Sequence, residues 1–175
     1  MGKIILVTGG ARSGKSKFAE DYTLSLRADA SLPAIYIATS EAFDSEMEER
    51  VSLHRKRRGA EWKSVEEPLE LAQILKETDN HLNQPRLVDC LTLWLNNLIF
   101  YQRNIDTELA TLIDMLDRQH ADVVFVTNEI GMGVIPETKL GREFRDVAGS
   151  VNQTIANEVS QMYFIVSGQP MKVKP

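Results

Sequence analysis

The chain of 175 residues contains a single cysteine, Cys90. A disulfide within the chain needs two cysteines, and a structural zinc site built on cysteines needs several, so both are excluded. A lone thiol suits the reducing cytosol. The first residues also lack the layout of a secretory signal peptide. We therefore expect a cytoplasmic protein.

Long apolar runs and an excess of positive charge are also missing. The apolar stretches are shorter than the roughly 20 residues that span a bilayer, so no membrane span is expected. Asp and Glu number 25 against 20 Lys and Arg, and this balance disfavours general binding to nucleic acids. With 43% hydrophobic and 26% charged residues, the composition is that of a globular protein. The length fits a single domain over residues 1–175.

Strand-like and helix-like segments alternate along the chain. Short apolar, β-branched runs predict strands at residues 4–8, 34–38, 87–88, 123–126 and 163–166. Apolar residues at helical spacing predict helices from residue 16 onward and over residues 68–76, 91–100, 109–116 and 140–161. Asp44 and Ser45 are candidate N-caps of a further helix that ends before Gly59. This alternation predicts an α/β fold with a mostly parallel sheet and helices on both faces.

A glycine-rich segment lies between the first predicted strand and the first predicted helix. It matches the G-x-x-x-x-G-K-[ST] pattern of phosphate-binding loops. Its glycines let backbone N–H groups face phosphate oxygens, and the positive end of the helix dipole adds to this attraction. Lys15 is expected to reach the β- and γ-phosphates of a nucleotide. The predicted nucleotide-binding residues of the loop are Gly9, Gly10, Ala11, Arg12, Ser13, Gly14, Lys15 and Ser16.

A magnesium ion is expected beside this loop. Ser16 supplies the hydroxyl that such loops give to Mg²⁺, and the other protein ligand is usually an acidic residue at the end of a neighbouring strand. Asp89 follows the predicted strand at 87–88 and is placed for that role. The alternative is that Asp89 only caps the helix that begins at Leu91. The N-K-x-D sequence of signalling GTPases is absent, and Asp89 does not begin their D-x-x-G switch, since residues 89–92 read DCLT. Any guanine preference therefore comes from other residues.

His54 directly precedes four consecutive basic residues. One interpretation is a partly buried histidine beside a solvated basic helix end, since Met47, Val51 and His54 share a helical face. The other makes His54 a nucleophile, whose neutral imidazole attacks the α-phosphorus of a nucleoside triphosphate while nearby cations stabilise the developing charge. The sequence spacing leaves both open. The basic residues are Arg55, Lys56, Arg57 and Arg58.

Several sequence blocks follow one another along nearly the whole chain. They are VTGGARSGKS at 7–16, YIATS at 36–40, the segment 50–55 with His54, DCLT at 89–92, TNEIGMGVIP at 127–136, REFRDVAG at 142–149, VNQ at 151–153 and VSG at 166–168. Together they resemble the adenosylcobinamide kinase/adenosylcobinamide-phosphate guanylyltransferase family. Such an ordered set is more specific than the loop alone.

The resemblance implies a bifunctional enzyme of cobalamin biosynthesis. Such an enzyme phosphorylates adenosylcobinamide with ATP or GTP, then transfers GMP from GTP to the adenosylcobinamide phosphate and releases pyrophosphate. It also implies a RecA-like P-loop NTPase fold, a homotrimer, and a covalent GMP intermediate on His54. Some family members carry Glu at the position of Asp89. Family nucleotide contacts match Thr39, Ser40, Arg55, Lys56, Arg57, Arg58, Glu66 and Asp89.

The segment of Asn128, Glu129 and the loop 131–136 follows a predicted strand, at the edge where open α/β sheets bind ligands. We assign it to the corrinoid side or to a subunit contact, and the alternative is a structural turn with an Asn cap.

A phosphate-binding loop also occurs in proteins with other functions. A P-loop kinase of another small molecule would use Lys15 and Asp89 but would not need His54, so covalent GMP distinguishes the two. A RecA-like ATPase acting on nucleic acid is disfavoured by the acidic charge. A nucleotide-binding regulator would bind without turnover.

Overall fold

A computed structural model of the chain describes residues 1–41 and 59–175. The strands of this described part are β1 (Ile4–Gly9), β2 (Ala34–Ala38), β3 (Trp62–Glu66), β4 (Arg86–Asp89), β5 (Val123–Asn128), β6 (Gln161–Val166) and β7 (Gln169–Lys174). They form one sheet in the order β3-β2-β4-β5-β1-β6-β7. Strand β7 is antiparallel to β6, and every other neighbouring pair is parallel. The predicted helix that begins at Asp44 or Ser45 lies outside the described residues.

Five helices of the described part pack on this sheet. They are α1 (Lys15–Ser25), α2 (Leu71–Glu77), α3 (Leu91–Phe100), α4 (Ile105–Leu116) and α5 (Lys139–Glu158). Among the helices of residues 1–41 and 59–175, none is long and apolar enough to cross a membrane.

Both faces of the sheet are covered, because alternate strand residues point to opposite sides. Ile5 and Val7 of β1 and Val124 and Val126 of β5 lie in one buried cluster with Ala19 of α1. We call this side the α1 face. The strand residues that alternate with these, such as Leu6 and Phe125, point to the other face. They form a second buried cluster with residues of α2, α3, α4 and α5. The predicted mostly parallel sheet with helices on both faces is confirmed.

The two strands that the sequence patterns do not predict lie at the edges of the sheet. Strands β3 and β7 are the outermost in the order of the described strands. In β3 every position is half-buried or exposed, and most of β7 is exposed. Pro170 within β7 also fits an edge position, because proline cannot donate a ladder hydrogen bond. Continuous apolar runs identify strands that are buried on both faces, so these edge strands lack that signal.

Three helix ends also differ from the predicted bounds. Helix α2 begins at Leu71 rather than at Pro68, because the Glu67 carboxylate accepts hydrogen bonds from the Leu69 and Glu70 N–H groups in a turn before the helix. Helix α4 begins at Ile105 rather than at residue 109 because Asn104 caps it. The Asn104 side chain accepts a hydrogen bond from the Thr107 N–H at 2.9 Å, as N-cap residues do. Helix α5 ends at Glu158 rather than at residue 161 because Gln161 is the first residue of β6.

A buried arginine joins the chain segments at the amino end of β4. Arg86 is fully buried, and its guanidinium donates to the carbonyl oxygens of Leu75 at 2.9 Å and Ala121 at 2.6 Å. It also donates to the Gln119 side chain at 2.6 Å and pairs with Asp79 at 3.0 Å. This network stabilises the edge of the sheet opposite the carboxyl ends of the strands.

Candidate nucleotide-binding site

The parallel strands β1 to β5 all end at one edge of the sheet, and predicted site residues lie at these ends. Gly9 of β1 is paired with Asn128 of β5. Ala38 of β2 is paired with Glu66 of β3 on one side and with Asp89 of β4 on the other. The carboxyl edge of a parallel sheet is where open α/β proteins bind ligands.

The predicted phosphate loop connects β1 to α1 and turns tightly. The Ser13 N–H donates to the Gly10 carbonyl at 3.3 Å, and the Phe18 N–H donates to the Gly14 carbonyl at 3.1 Å. Gly14 is the N-cap residue of α1 and adopts a φ of 93°, in the left-handed region that favours glycine. The first N–H groups of a helix have no partner within it, so the start of α1 provides donors for an anion.

Gly9 is required by the close approach of neighbouring atoms. A Cβ at this position would lie 2.7 Å from the Ile165 carbonyl oxygen and 2.7 Å from the Ser13 Oγ. Any larger residue would therefore push the loop away from β6. The pattern that predicts a glycine here has a direct steric cause.

Lys15 and Ser13 contribute polar groups to the inside of the loop. The Lys15 ammonium donates to the Gly10 carbonyl at 3.2 Å, so the side chain folds back over the loop. The Ser13 hydroxyl is buried and has no hydrogen-bond partner among residues 1–41 and 59–175. Such a group is costly to bury unless a ligand completes its hydrogen bonding. A bound phosphate can accept hydrogen bonds from both groups.

Asp89 is oriented by a tyrosine from the next strand. The Tyr36 hydroxyl donates to Asp89 Oδ2 at 2.8 Å, and Tyr36 belongs to the α1 face. Cys90 rather than Asp89 occupies the N-cap position of α3. The Asp89 carboxylate therefore points toward the side of the sheet where α1 begins, and the alternative role as a helix cap is not the arrangement observed.

The residues present fit a magnesium ion with few protein ligands. Ser16 and Asp89 offer a hydroxyl and a carboxylate oxygen, the hard ligands that Mg²⁺ prefers. Within the described residues there is no group of three or more His, Cys, Asp or Glu side chains that could hold a metal ion. Magnesium at nucleotide sites usually takes its other ligands from phosphates and water.

Thr39 is buried and joins the ends of β2 and β4. Its hydroxyl donates to the Cys90 carbonyl at 2.7 Å and accepts from the Cys90 N–H at 2.8 Å. The Asn97 side chain donates to the Thr39 carbonyl at 2.7 Å. Burial and the charge of Asp89 raise the pKa of the Cys90 thiol to about 12. Thr39 thus fixes the backbone that presents the half-buried Ser40.

The predicted site residues are not all close to the phosphate loop. Glu66 is exposed at the end of β3, and β2, β4 and β5 separate β3 from β1. At about 4.8 Å per strand, Glu66 lies roughly 19 Å from the loop along the edge. His54 and the basic residues Arg55, Lys56, Arg57 and Arg58 lie outside the described residues.

Two contacts around the loop are not predicted by the sequence patterns. The Gly168 N–H, in the turn between β6 and β7, donates to the Ser13 carbonyl at 2.8 Å. The Glu129 N–H, just after β5, donates to the Gly9 carbonyl at 3.0 Å. The sequence signal for the Gly168 contact is the Ser167-Gly168 dipeptide. In the structure both residues have positive φ angles. Such a pair is typical of a tight hairpin turn.

A glycine-rich loop between the first strand and the first helix of a parallel sheet defines a P-loop NTPase. The predicted class, a RecA-like P-loop fold, is confirmed. The fold is similar to that of flagellar accessory protein FlaH from Methanocaldococcus jannaschii, with a TM-score of 0.54 and 13% identity. The similarity covers 98% of this chain and 78% of FlaH.

Residues 5–173 match the family model described as cobinamide kinase / cobinamide phosphate guanyltransferase. The chain is 42% identical over 171 residues to the bifunctional adenosylcobalamin biosynthesis protein CobP of Pseudomonas aeruginosa, covering 97% of this chain and 96% of CobP. It is 41% and 40% identical over 186 residues to the corresponding CobU proteins of Escherichia coli and Salmonella typhimurium, covering 98% of this chain and 99% of each relative. The chain therefore belongs to this family of transferases, as the sequence predicts.

Proposed function

We propose that the chain performs two successive reactions on a corrinoid. It phosphorylates the aminopropanol hydroxyl of adenosylcobinamide, and it then transfers GMP from GTP to the new phosphate to give adenosylcobinamide-GDP. The observation that carries this proposal is a complete phosphate loop beside Asp89 in a chain that matches the family over residues 5–173. The cytoplasm as its location and a homotrimer as its assembly belong to the same proposal.

In the kinase reaction the loop holds the triphosphate of ATP or GTP. The corrinoid hydroxyl oxygen forms a bond to the γ-phosphorus, the bond from that phosphorus to the β–γ bridging oxygen breaks, and the hydroxyl proton is released to water. Lys15 stabilises the β- and γ-phosphates, and the N–H groups at the start of α1 bind the same oxygens. Ser16 and Asp89 would hold Mg²⁺, which supplies neutralisation of phosphate charge when bound.

In the guanylyl transfer reaction His54 is the nucleophile. Its imidazole nitrogen forms a bond to the α-phosphorus of GTP, and the bond from that phosphorus to the α–β bridging oxygen breaks, which releases pyrophosphate. A phosphate oxygen of the corrinoid then attacks the same phosphorus and displaces the imidazole. The support for His54 is its place in the sequence block 50–55 and the run of basic residues after it. Glu66, Ser40 and the residues 55–58 are proposed to contact the nucleotide.

One phosphate loop has to serve both displacements. Attack at the γ-phosphorus and attack at the α-phosphorus need different approach directions, so the triphosphate or the segment that bears His54 must shift between the reactions. Calorimetry at saturating GTP tests this. One nucleotide per chain is expected, and two nucleotides bound together would contradict the single-loop account.

The loop 131–136 is proposed for the corrinoid or for a subunit contact. Met132, Val134 and Ile135 are exposed there, and a corrinoid ring or a second chain would cover such apolar side chains. Glu129 shapes the start of this loop, because its carboxylate accepts a hydrogen bond from the Gly131 N–H at 2.7 Å. Glu129→Ala should therefore raise the KM for cobinamide or weaken assembly. An unchanged KM for cobinamide together with unchanged assembly would contradict the proposed role of this loop.

Product analysis tests the two-reaction proposal. Wild type should convert adenosylcobinamide and ATP to the phosphate, and with GTP on to adenosylcobinamide-GDP. Lys15→Ala should impair both steps, whereas Lys17→Ala is a matched control because Lys17 is exposed and pairs with Asp21 at 2.7 Å on the α1 surface. His54→Ala should abolish only the second step. Full activity of Lys15→Ala, or equal loss of both steps in His54→Ala, would contradict these roles.

A further inference from the structure

Helix α5 extends past the carboxyl edge of the sheet. It leads into β6, which is parallel to β1 and begins at the amino edge, so α5 runs antiparallel to these strands. Asn152 is level with the end of β5, since its side chain accepts a hydrogen bond from the Thr127 hydroxyl at 2.8 Å and donates one to the Asn128 carbonyl at 3.3 Å. At 1.5 Å per residue, residues 139–151 of the helix reach up to about 20 Å beyond this level.

Arg145 and Gly149 lie on the same side of α5 as Asn152. Residues three, four and seven positions apart share a helix face, and these positions are 145, 149 and 152. Arg145 is therefore above the end of β5, about two helical turns farther out than Asn152. Ala148 and Val151 pack in the second buried cluster. The helix thus overhangs the carboxyl edge from the side of the sheet opposite to α1.

The Arg145 side chain is three-quarters buried but weakly paired. It is 24% exposed, and within residues 1–41 and 59–175 its one charged contact is with Asp146, at 3.1 Å. The Asp146 side chain is 69% exposed. Adjacent residues of a helix do not face each other, and exposed ion pairs contribute little. The Arg145 guanidinium is therefore a cation whose hydrogen-bonding capacity is largely available to an anionic ligand.

Gly149 leaves an open space between Arg145 and the sheet edge. A Cβ at this position would meet no atom of the described residues within 4 Å. Glycine in the interior of a helix is unfavourable compared with alanine, and packing against the other elements of the described part does not require it here. A glycine also allows a ligand to approach the backbone closely. The open space and the guanidinium beside it have the features of a site for an anionic ligand.

The phosphate acceptor should approach from this side of the sheet. The loop and α1 lie on the α1 face, and phosphoryl transfer places the attacking and leaving oxygens roughly in line. The loop holds the β-phosphate, which is the leaving group of the kinase reaction. The corrinoid hydroxyl therefore reaches the γ-phosphorus from the side away from the loop, over which α5 extends. The new phosphate ester forms between the loop and this overhang.

We propose that Arg145 binds the phosphate of adenosylcobinamide phosphate, the acceptor in guanylyl transfer, and that the aminopropanol arm lies over Gly149. This rests on the proposed function. A guanidinium can bind two phosphate oxygens through parallel hydrogen bonds. With its phosphate on Arg145, the corrinoid leaves the loop free to exchange a nucleoside diphosphate for GTP, so one loop can serve both displacements.

Arg145 acts by holding the acceptor and undergoes no covalent change. A phosphate oxygen of the corrinoid forms a bond to the phosphorus of the GMP on His54, and the bond from that phosphorus to the imidazole nitrogen breaks. Arg145 keeps its protons and orients the attacking group. The kinase reaction starts from a neutral hydroxyl, and formation of the GMP–enzyme needs no corrinoid. Loss of Arg145 should therefore impair use of the phosphorylated acceptor and spare these two steps.

The test compares Arg145→Ala and Arg145→Lys with wild type in the full chain. Arg145→Ala should raise the KM for adenosylcobinamide phosphate at least about tenfold. The KM for adenosylcobinamide and the GMP–enzyme formed from GTP, measured by mass, should stay within about threefold of wild type. Arg145→Lys keeps the charge without the paired hydrogen bonds, so its KM should be intermediate. The control is Arg118→Ala, since Arg118 is 65% exposed and pairs with Asp114 beyond α4.

A second pair of variants tests the space over Gly149. Gly149→Leu should fold as wild type does, as checked by circular dichroism, and raise the KM for both corrinoids at least about tenfold, because the side chain fills the space of the aminopropanol arm. Gly149→Ala is the matched control. It adds one methyl group and should change both KM values less than about threefold.

Several results would overturn the inference. They are a wild-type KM for adenosylcobinamide phosphate in Arg145→Ala, equal rises in the KM for both corrinoids in that variant, and unchanged KM values in a folded Gly149→Leu. A changed oligomeric state of Arg145→Ala, measured by light scattering, would assign Arg145 to a subunit contact instead. A wild type that makes neither adenosylcobinamide phosphate nor adenosylcobinamide-GDP would refute the proposed function, and this inference with it.

Discussion

The Gly168 N–H donates a 2.8 Å hydrogen bond to the Ser13 carbonyl oxygen, which attaches the β6–β7 turn to the phosphate loop. In a trans peptide the carbonyl oxygen and the next N–H point in opposite directions. The bond to Gly168 holds the Ser13 carbonyl outward, so the Gly14 N–H is directed to the inside of the loop. A Cβ at Gly14 would also lie 3.2 Å from the Gly168 Cα. The turn and the loop are therefore packed together, and the turn orients one of the phosphate-binding N–H groups.

Gly168→Val should weaken nucleotide binding because Gly168 has a φ of 80°. This left-handed conformation disfavours β-branched residues, with a strain of roughly 1–3 kcal/mol. We expect the GTP Kd, measured by calorimetry, to rise about tenfold.

Gly168→Asn is the matched control, since asparagine tolerates the left-handed region. A Cβ at position 168 meets no atom of the described residues within 4 Å, so backbone conformation rather than a clash separates the two variants. GTP binding by the Asn variant should stay near that of wild type. Equal affinities of the Val variant and wild type would show that the turn does not position the loop.

Arg86→Met should destabilise the fold strongly without touching the site. Arg86 is fully buried at the amino end of β4, and its loss would remove the ion pair with Asp79 and the hydrogen bonds to the Leu75 and Ala121 carbonyl groups. Breaking a buried pair in this way typically lowers the free energy of unfolding by about 3–5 kcal/mol. Urea denaturation measures this value, and Lys17→Met, which breaks an exposed pair, should leave it nearly unchanged. A change of similar size in the two variants would contradict the stabilising role of the buried network.

Asp79 should make part of the stability depend on pH. Burial raises the pKa of its carboxyl, but hydrogen bonds from the Ala121 and His120 N–H groups, the His120 ring and the Arg86 charge outweigh burial and hold the pKa below its usual 3.8. A carboxyl with a lowered pKa stabilises the fold above the unfolded pKa, and that contribution is lost as the pH falls through the folded pKa. The free energy of unfolding of wild type should therefore decline from about pH 4 downward.

Asp79→Asn lacks this ionisation, so its stability should be lower at neutral pH and should decline less steeply in acid. Urea denaturation at a series of pH values compares the two chains. Parallel declines below about pH 4 would show that Asp79 does not account for this pH dependence.

The central strands and helix α3 can be predicted from the sequence because their patterns of apolar residues are strong and local. Strands β1 and β5 are continuous apolar runs that are buried on both faces, and helix α3 has the predicted bounds, Leu91–Phe100. Edge strands have no such signal, because only part of their surface is buried. The position of Asn104 as the cap of α4 is visible in the sequence only as one of several polar residues before the helix, which explains the late predicted start.

The candidate site is predictable to the extent that it depends on one contiguous segment. Gly9 and Gly14 lie where the loop needs small residues, and Lys15 and Ser16 follow directly in the chain. The motif can therefore be recognised from this one segment. Contacts between distant segments are different, since the pairing of Gly9 with Asn128 follows from strand order. A single sequence does not specify which strand lies beside β1, so the position of Asn128 between the loop and Asp89 emerges only from the fold.

The central claim is that the chain forms a covalent GMP intermediate on His54. It is tested most directly by the intact mass of wild type and His54→Ala after incubation with Mg²⁺ and GTP, with acid treatment as a control. The account predicts one GMP added to wild type, lost in acid as a phosphoramidate is, and absent from the variant. A wild type that binds GTP but shows no adduct, or an adduct of equal amount in His54→Ala, would contradict it.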